Sequence, residues 1–318
     1  MRKGRRRVLF LLGGILGFFV WLGLILGGLE NIAVQIKEDR DIFANYQHPK
    51  IPVAKNGAKT VSILDAEAFI LLDVETNTVL ARKKEKERIY PASTTKLVTA
   101  LTALNIYPLD EIVEVDTKYE NGKVMGLKKG EKISIRDLVK ALLVHSANDA
   151  AFILAKQHQN GIDGFIKEMN GILEKNGLED SNFVNYDGIH GDNHYSTVYD
   201  LAQVARLAIK NETVLETVKI KELTVISKNG TEYLLSSTNE LLGVEPEIEG
   251  LKTGWTPEAG GCFVGLFNIE GHKLISVVAQ SEDRFADSLK LLEWAKENVE
   301  WREYENYSEI QDWEIAET

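Results

Sequence analysis

Apolar runs of strand length bracket a helical middle, and this arrangement limits the chain to folds whose sheet is assembled from both ends of the sequence. Near the front, Ala68-Phe69-Ile70-Leu71-Leu72-Asp73 and Thr78-Val79-Leu80-Ala81 flank Glu75-Thr76-Asn77, the pattern of a β-hairpin with well-buried strands. Far downstream, residues 262–269 and 273–279 read as two more strands joined at Glu270-Gly271, preceded by a strand around residues 251–255. Between these ends, residues 135–157, 165–176 and 198–209 carry apolar side chains at helical spacing, and a closing helix presents Phe285, Leu289, Leu292 and Val299. The expected architecture is α/β: an antiparallel sheet from both chain ends, flanking helices and an inserted helical subdomain. A cleft between the two lobes is the natural place for a site.

Ahead of this body lie Arg2, Lys3, Arg5, Arg6 and Arg7, then an uncharged apolar stretch over residues 8–29. At about 22 residues it can cross a hydrocarbon core of roughly 30 Å. Basic residues before it predict a cytoplasmic N-terminus and an exported body, in the cell membrane as a single-pass protein. A cleaved secretory signal is the alternative, and the body is then secreted. The expected division is residues 1–29 as basic segment and anchor, 30–62 as spacer, 63–300 as catalytic domain and 301–318 as acidic tail. The net charge is -11 with all five N-terminal cations included, so the body is strongly acidic and nucleic acid is not an expected partner. The single cysteine, Cys262, leaves no possibility of an intramolecular disulfide and reads as a small apolar residue in its strand.

Three short strings carry chemistry. In Ser93-Thr94-Thr95-Lys96 the hydroxyl and amine are one helical turn apart, in the first turn of a predicted buried helix. A serine hydroxyl needs a base, and Lys96 serves only when uncharged, a state that burial or the second cation Lys252 favours. Ser146-Ala147-Asn148 interrupts an apolar helical run with polar groups; alone it reads as a helix junction, and in a site Ser146 can relay a proton while Asn148 holds a substrate backbone. In Lys252-Thr253-Gly254 the cation and hydroxyl suit an anionic substrate terminus. Gly254 permits close backbone approach, and the N–H of Trp255 can join that of Ser93 as an oxyanion hole. Each string is weak alone, but their joint occurrence in this order is specific.

With their flanks (residues 72–80, Pro91-Ala92, Asn148-Asp149-Ala150-Ala151, His194-Tyr195-Ser196-Thr197 and Gly250-Leu251), these strings resemble the serine-type D-Ala-D-Ala carboxypeptidases, the low-molecular-mass penicillin-binding proteins. The resemblance implies a β-lactamase/penicillin-binding-protein-like fold and cleavage of the terminal D-alanine from peptidoglycan stem pentapeptides ending in D-Ala-D-Ala. It implies acylation by β-lactams, with Ser93 as nucleophile, Lys96 as base, Ser146 and Asn148 as the second pair, and Lys252 and Thr253 as the carboxylate anchor. No cofactor or metal is expected, since no metal-ligand spacing such as H-E-x-x-H occurs. Ala147 stands where the family usually has glycine, a change expected to tighten that turn. Glu179 is followed four positions on by Phe183 rather than asparagine, which disfavours a class A β-lactamase. A D,D-endopeptidase and a non-turnover penicillin sensor remain as alternatives. His194 and His145 are expected to be structural.

Overall fold

The computed structural model describes residues 50–61 and 64–303, so the expected membrane segment and nearly all of the acidic tail lie outside the described residues. The described chain enters through β1 (Ile51–Ala54), which pairs antiparallel with β11 (Val299–Arg302) at its far end. The central sheet has five strands, all antiparallel, in the order β3 (Val79–Lys83), β2 (Ala68–Asp73), β10 (His272–Ser281), β9 (Gly260–Ile269) and β8 (Ile248–Thr256). Two strands come from the front of the chain and three from the back, as the apolar runs predict. Small hairpin-like pairs, β4 (Ile112–Glu114) with β5 (Lys132–Ser134) and β6 (Glu222–Ile226) with β7 (Glu232–Ser236), decorate the helical lobe.

Both sheet faces are covered, which is why the strands read as unbroken apolar runs rather than alternating ones. Ile70, Leu72, Val264, Leu266, Ile275 and Val277 face the helical core. Phe69, Leu71, Phe263, Phe267, Leu274 and Val278 face Leu291, Leu292 and Ala295 of the closing helix. Helices α1 (Lys96–Ile106), α2 (Ile135–Val144), α3 (Asn148–Lys156), α4 (Gly161–Lys175), α5 (Val198–Ala208) and α6 (Glu212–Thr217) form the inserted lobe, and α7 (Arg284–Asn298) backs the sheet. Side-chain caps fix several starts: Ser134 accepts from Asp137 N, Thr197 from Asp200 N, and Asp283 from Phe285 and Ala286 N.

Three local expectations change. The helix expected over residues 135–157 is two, broken at Ser146, whose φ of +63° ends the first and starts the second. Ser93 lies in a 3-10 turn, Ala92–Thr95, one step before the α-helix that begins at Lys96. Residues 51–54, inside the stretch read as spacer, form a strand because a partner exists only at the opposite end of the chain.

Candidate active site

The 3-10 turn sets Ser93 and Lys96 on one side, with Lys96 Nζ 2.8 Å from Ser93 Oγ. The same amine donates to the carbonyl of Asp187 at 2.5 Å. Lys96 is fully buried, and loss of hydration lowers its proton affinity from an ordinary 10.5 to about 8, against an opposing pull from the Asp187 carboxylate. At such a value a useful fraction is neutral near pH 7, and a neutral amine at this distance can take the Ser93 proton. Ala92, just before Ser93, has φ +48°, a left-handed conformation that costs an alanine on the order of 1–2 kcal/mol. The surrounding packing holds it there.

The third string arrives on β8, the edge of the sheet. A Cβ on Gly254 would stand 3.0 Å from Ser93 N and 3.1 Å from both Ala92 Cβ and Pro91 O, so any side chain here would force the Ser93 turn to give by a few tenths of an ångström. Lys252 is buried, and desolvation first, then Lys96, Lys123 and Arg284, hold its proton affinity well below the ordinary lysine range. Its Nζ donates to Thr253 O at 3.0 Å, while Thr253 Oγ1 bonds to Thr238 Oγ1 at 2.6 Å. Trp255 pairs across the ladder with Gly261, and its side chain is 61% exposed.

Ser146 and Asn148 form the junction of α2 and α3. Ala147 sits at φ −64°, where alanine is unstrained, so the left-handed residue of the turn is Ser146 and alanine fits beside it without backbone strain. The Asn148 amide donates to Asn121 O at 3.0 Å and its backbone N–H to Lys123 O at 2.7 Å. The next residue, Asp149, accepts from the N–H groups of Met125, Gly126 and Leu127, fixing the same loop. The second string is tied toward the third through Thr238 N, which donates to Val144 O, and through His145 Nδ1 on Ser236 O. Among the described residues, Lys96 Nζ bonds to Ser93 and Asp187 rather than to Ser146.

The expected structural roles of two histidines and the cysteine have clear geometry. His194 Nδ1 accepts from Val184 N, so Nε2 carries the proton and donates to Thr95 Oγ1 at 3.0 Å. Burial, then His190 and Lys96, depress it to about 4. Cys262 is buried beneath Tyr90, its thiol pushed up to about 11.

The peptidase S11 model, described as D-alanyl-D-alanine carboxypeptidase, matches residues 55–283. The chain belongs to this family. It is 29% identical over 254 residues to DacF of Bacillus subtilis, covering 76% of this chain and 65% of that one. It is 31% identical over 279 residues to DacD of Salmonella typhimurium, covering 81% and 70%. The structure of the Streptomyces K15 DD-transpeptidase superposes with a TM-score of 0.71 at 30% identity, covering 74% of this chain and 98% of that one. The α/β fold is thus the β-lactamase/penicillin-binding-protein-like one.

Three further groups, Arg284, Lys123 and Asp187, stand at the site and no motif marks them. Arg284 opens α7, senses Lys252 and Glu240, and among the described residues has a buried Nε with no hydrogen-bond partner. Lys123 adds another cation, lowered by burial. Asp187 meets Lys96 from a loop 91 residues away in sequence. Nothing local in the sequence signals them, because each acts only through tertiary contact.

Proposed function

We propose that this protein is a serine D,D-carboxypeptidase that removes the terminal D-alanine from peptidoglycan stem pentapeptides through an acyl-Ser93 intermediate. The observation that carries the reading is the buried Lys96 amine, its proton affinity lowered to about 8, standing 2.8 Å from Ser93 Oγ and closed over by the edge strand bearing Lys252 and Thr253. Neutral Lys96 takes the hydroxyl proton as Oγ bonds to the penultimate D-alanine carbonyl carbon, and the N–H groups of Ser93 and Trp255 stabilise the resulting oxyanion. Lys252 and Thr253, joined by Arg284, bind the terminal carboxylate, and Asn148 holds the substrate backbone. Ser146 relays the proton to the departing D-alanine nitrogen, and water then hydrolyses the ester. β-Lactams enter the same path and stop at the acyl-enzyme. Residues 8–29 anchor the chain in the membrane with the domain on the extracytoplasmic side.

The test is incubation of the purified chain with pentapeptide and cross-linked muropeptides, read by mass spectrometry. The expected product is tetrapeptide plus free D-alanine, absent with Ser93→Ala. Cutting of cross-linked dimers with pentapeptide left intact establishes an endopeptidase instead. The K15 relative, a DD-transpeptidase, is the reason to include an amine acceptor, because the same ester can pass to an amine in place of water.

A further inference from the structure

Asp187 is the point where three separate parts of the site meet. Its backbone carbonyl receives the Lys96 ammonium, and its carboxylate accepts the Tyr119 hydroxyl at 2.8 Å and the N–H of Ile189 at 3.2 Å. Asp187 itself is buried. Tyr119 lies on the same loop as Asn121 and Lys123, the residues that hold Asn148, and it stacks on Phe152 of α3 at 4.9 Å. Gly188, the next residue, has φ +83°, and a Cβ there would stand 1.9 Å from Ala92 O, so this loop is pressed directly onto the nucleophile turn. One residue therefore touches the base with its backbone while its side chain reaches the loop behind the second string.

A carboxylate placed this way does more than brace a loop. Its negative charge favours the protonated form of the neighbouring amine, and the Tyr119 hydroxyl partly offsets that charge. Of the other titratable groups around this point, Tyr186 feels the Asp187 carboxylate, His194 and Lys252 feel Lys96, and His190 and Lys123 stand one neighbour further out, against His194 and Lys252. His194 is held neutral, so it adds no charge there. Lys252 opposes a positive Lys96, and Asp187 is the carboxylate that pulls the other way.

We propose that Asp187 is a positioning residue with two jobs: its carbonyl aims the Lys96 amine at Ser93, and its carboxylate, moderated by Tyr119, sets the acidity at which that amine becomes free to act. The proposal rests on the acyl-serine reading above. Its measurement is the second-order rate of acylation by a fluorescent penicillin across pH, in the full chain, with a thermal melt confirming folding. Asp187→Asn preserves the backbone carbonyl and an acceptor for Tyr119 but removes the charge; the rising limb of the profile should move down by about one pH unit. Tyr119→Phe removes the moderating hydroxyl and keeps the charge, so its limb should move up. A merely structural role lowers the rate in both variants and leaves the limb in place, which overturns the proposal. If Asp187→Asn does not fold, a Tyr119→Phe limb at the wild-type position overturns it equally. A wild-type chain that takes no penicillin rejects the acyl-serine reading and this inference with it; acylation with unmoved limbs rejects this inference alone.

Discussion

At the scale of single residues, the site is built on lysines kept from water. Lys96 charged and buried costs the fold about 3 kcal/mol below pH 8, the equivalent of its drop from 10.5 to about 8. The cost is present while both folded and unfolded chains hold the proton, and it fades as pH rises from about 8 toward 10.5. Lys96→Met should therefore abolish acylation yet raise Tm by about 2–4 °C at pH 7, after loss of two hydrogen bonds is set against the relieved burial. The gap from wild type should narrow in melts above pH 8. An equal or lower Tm at pH 7 contradicts the assignment of a buried charge. Lys252 is tested on substrate instead: Lys252→Ala should lower kcat/KM for the pentapeptide by about 100-fold, the worth of a charge-assisted bond to a carboxylate. An unchanged kcat/KM removes it from the anchor.

At the scale of elements, the structure brings together segments that meet only through close backbone approach. The Ala92–Thr95 turn is gripped by Gly254 on the edge strand and by Gly188 on the Asp187 loop, and neither position admits a Cβ without displacement. Gly188→Ala is expected to slow penicillin acylation by at least about tenfold, since its Cβ would collide with Ala92 O and its φ is left-handed. Stopped-flow fluorescence reads this, and a wild-type rate would show that the turn does not need this neighbour. The three strings were legible because each is local: hydroxyl and amine one turn apart, polar groups breaking an apolar run, a cation beside a glycine. The break at Ser146 was legible only as an alternative, because serine carries no signature for φ +63°. Asp187, Arg284 and Lys123 were not legible at all, since an acidic or basic side chain in a polar loop or at a helix start looks like any solvated one until the fold places it near Lys96 or Lys252.

At the scale of the whole molecule, the apolar runs gave the five central strands and their origin in both chain ends, because full burial on two faces leaves a continuous apolar imprint. The β1–β11 pair left no such imprint, being short, half exposed and dependent on a partner at the opposite terminus. Trp301 of β11 ties this pair to the central sheet by donating to Asp73 Oδ2 at 3.0 Å and stacking on His272 at 4.4 Å. Trp301→Ala should lower Tm while leaving the acylation rate unchanged; a fall in rate with no change in Tm would mean that this pair reaches the site. The proposed nucleophile, Ser93 Oγ, is tested by intact-mass and peptide mass spectrometry after penicillin treatment. The expected result is one penicilloyl adduct per chain on the peptide containing Ser93, lost in Ser93→Ala; an adduct on another residue, or one retained in that variant, contradicts an acyl-Ser93 intermediate.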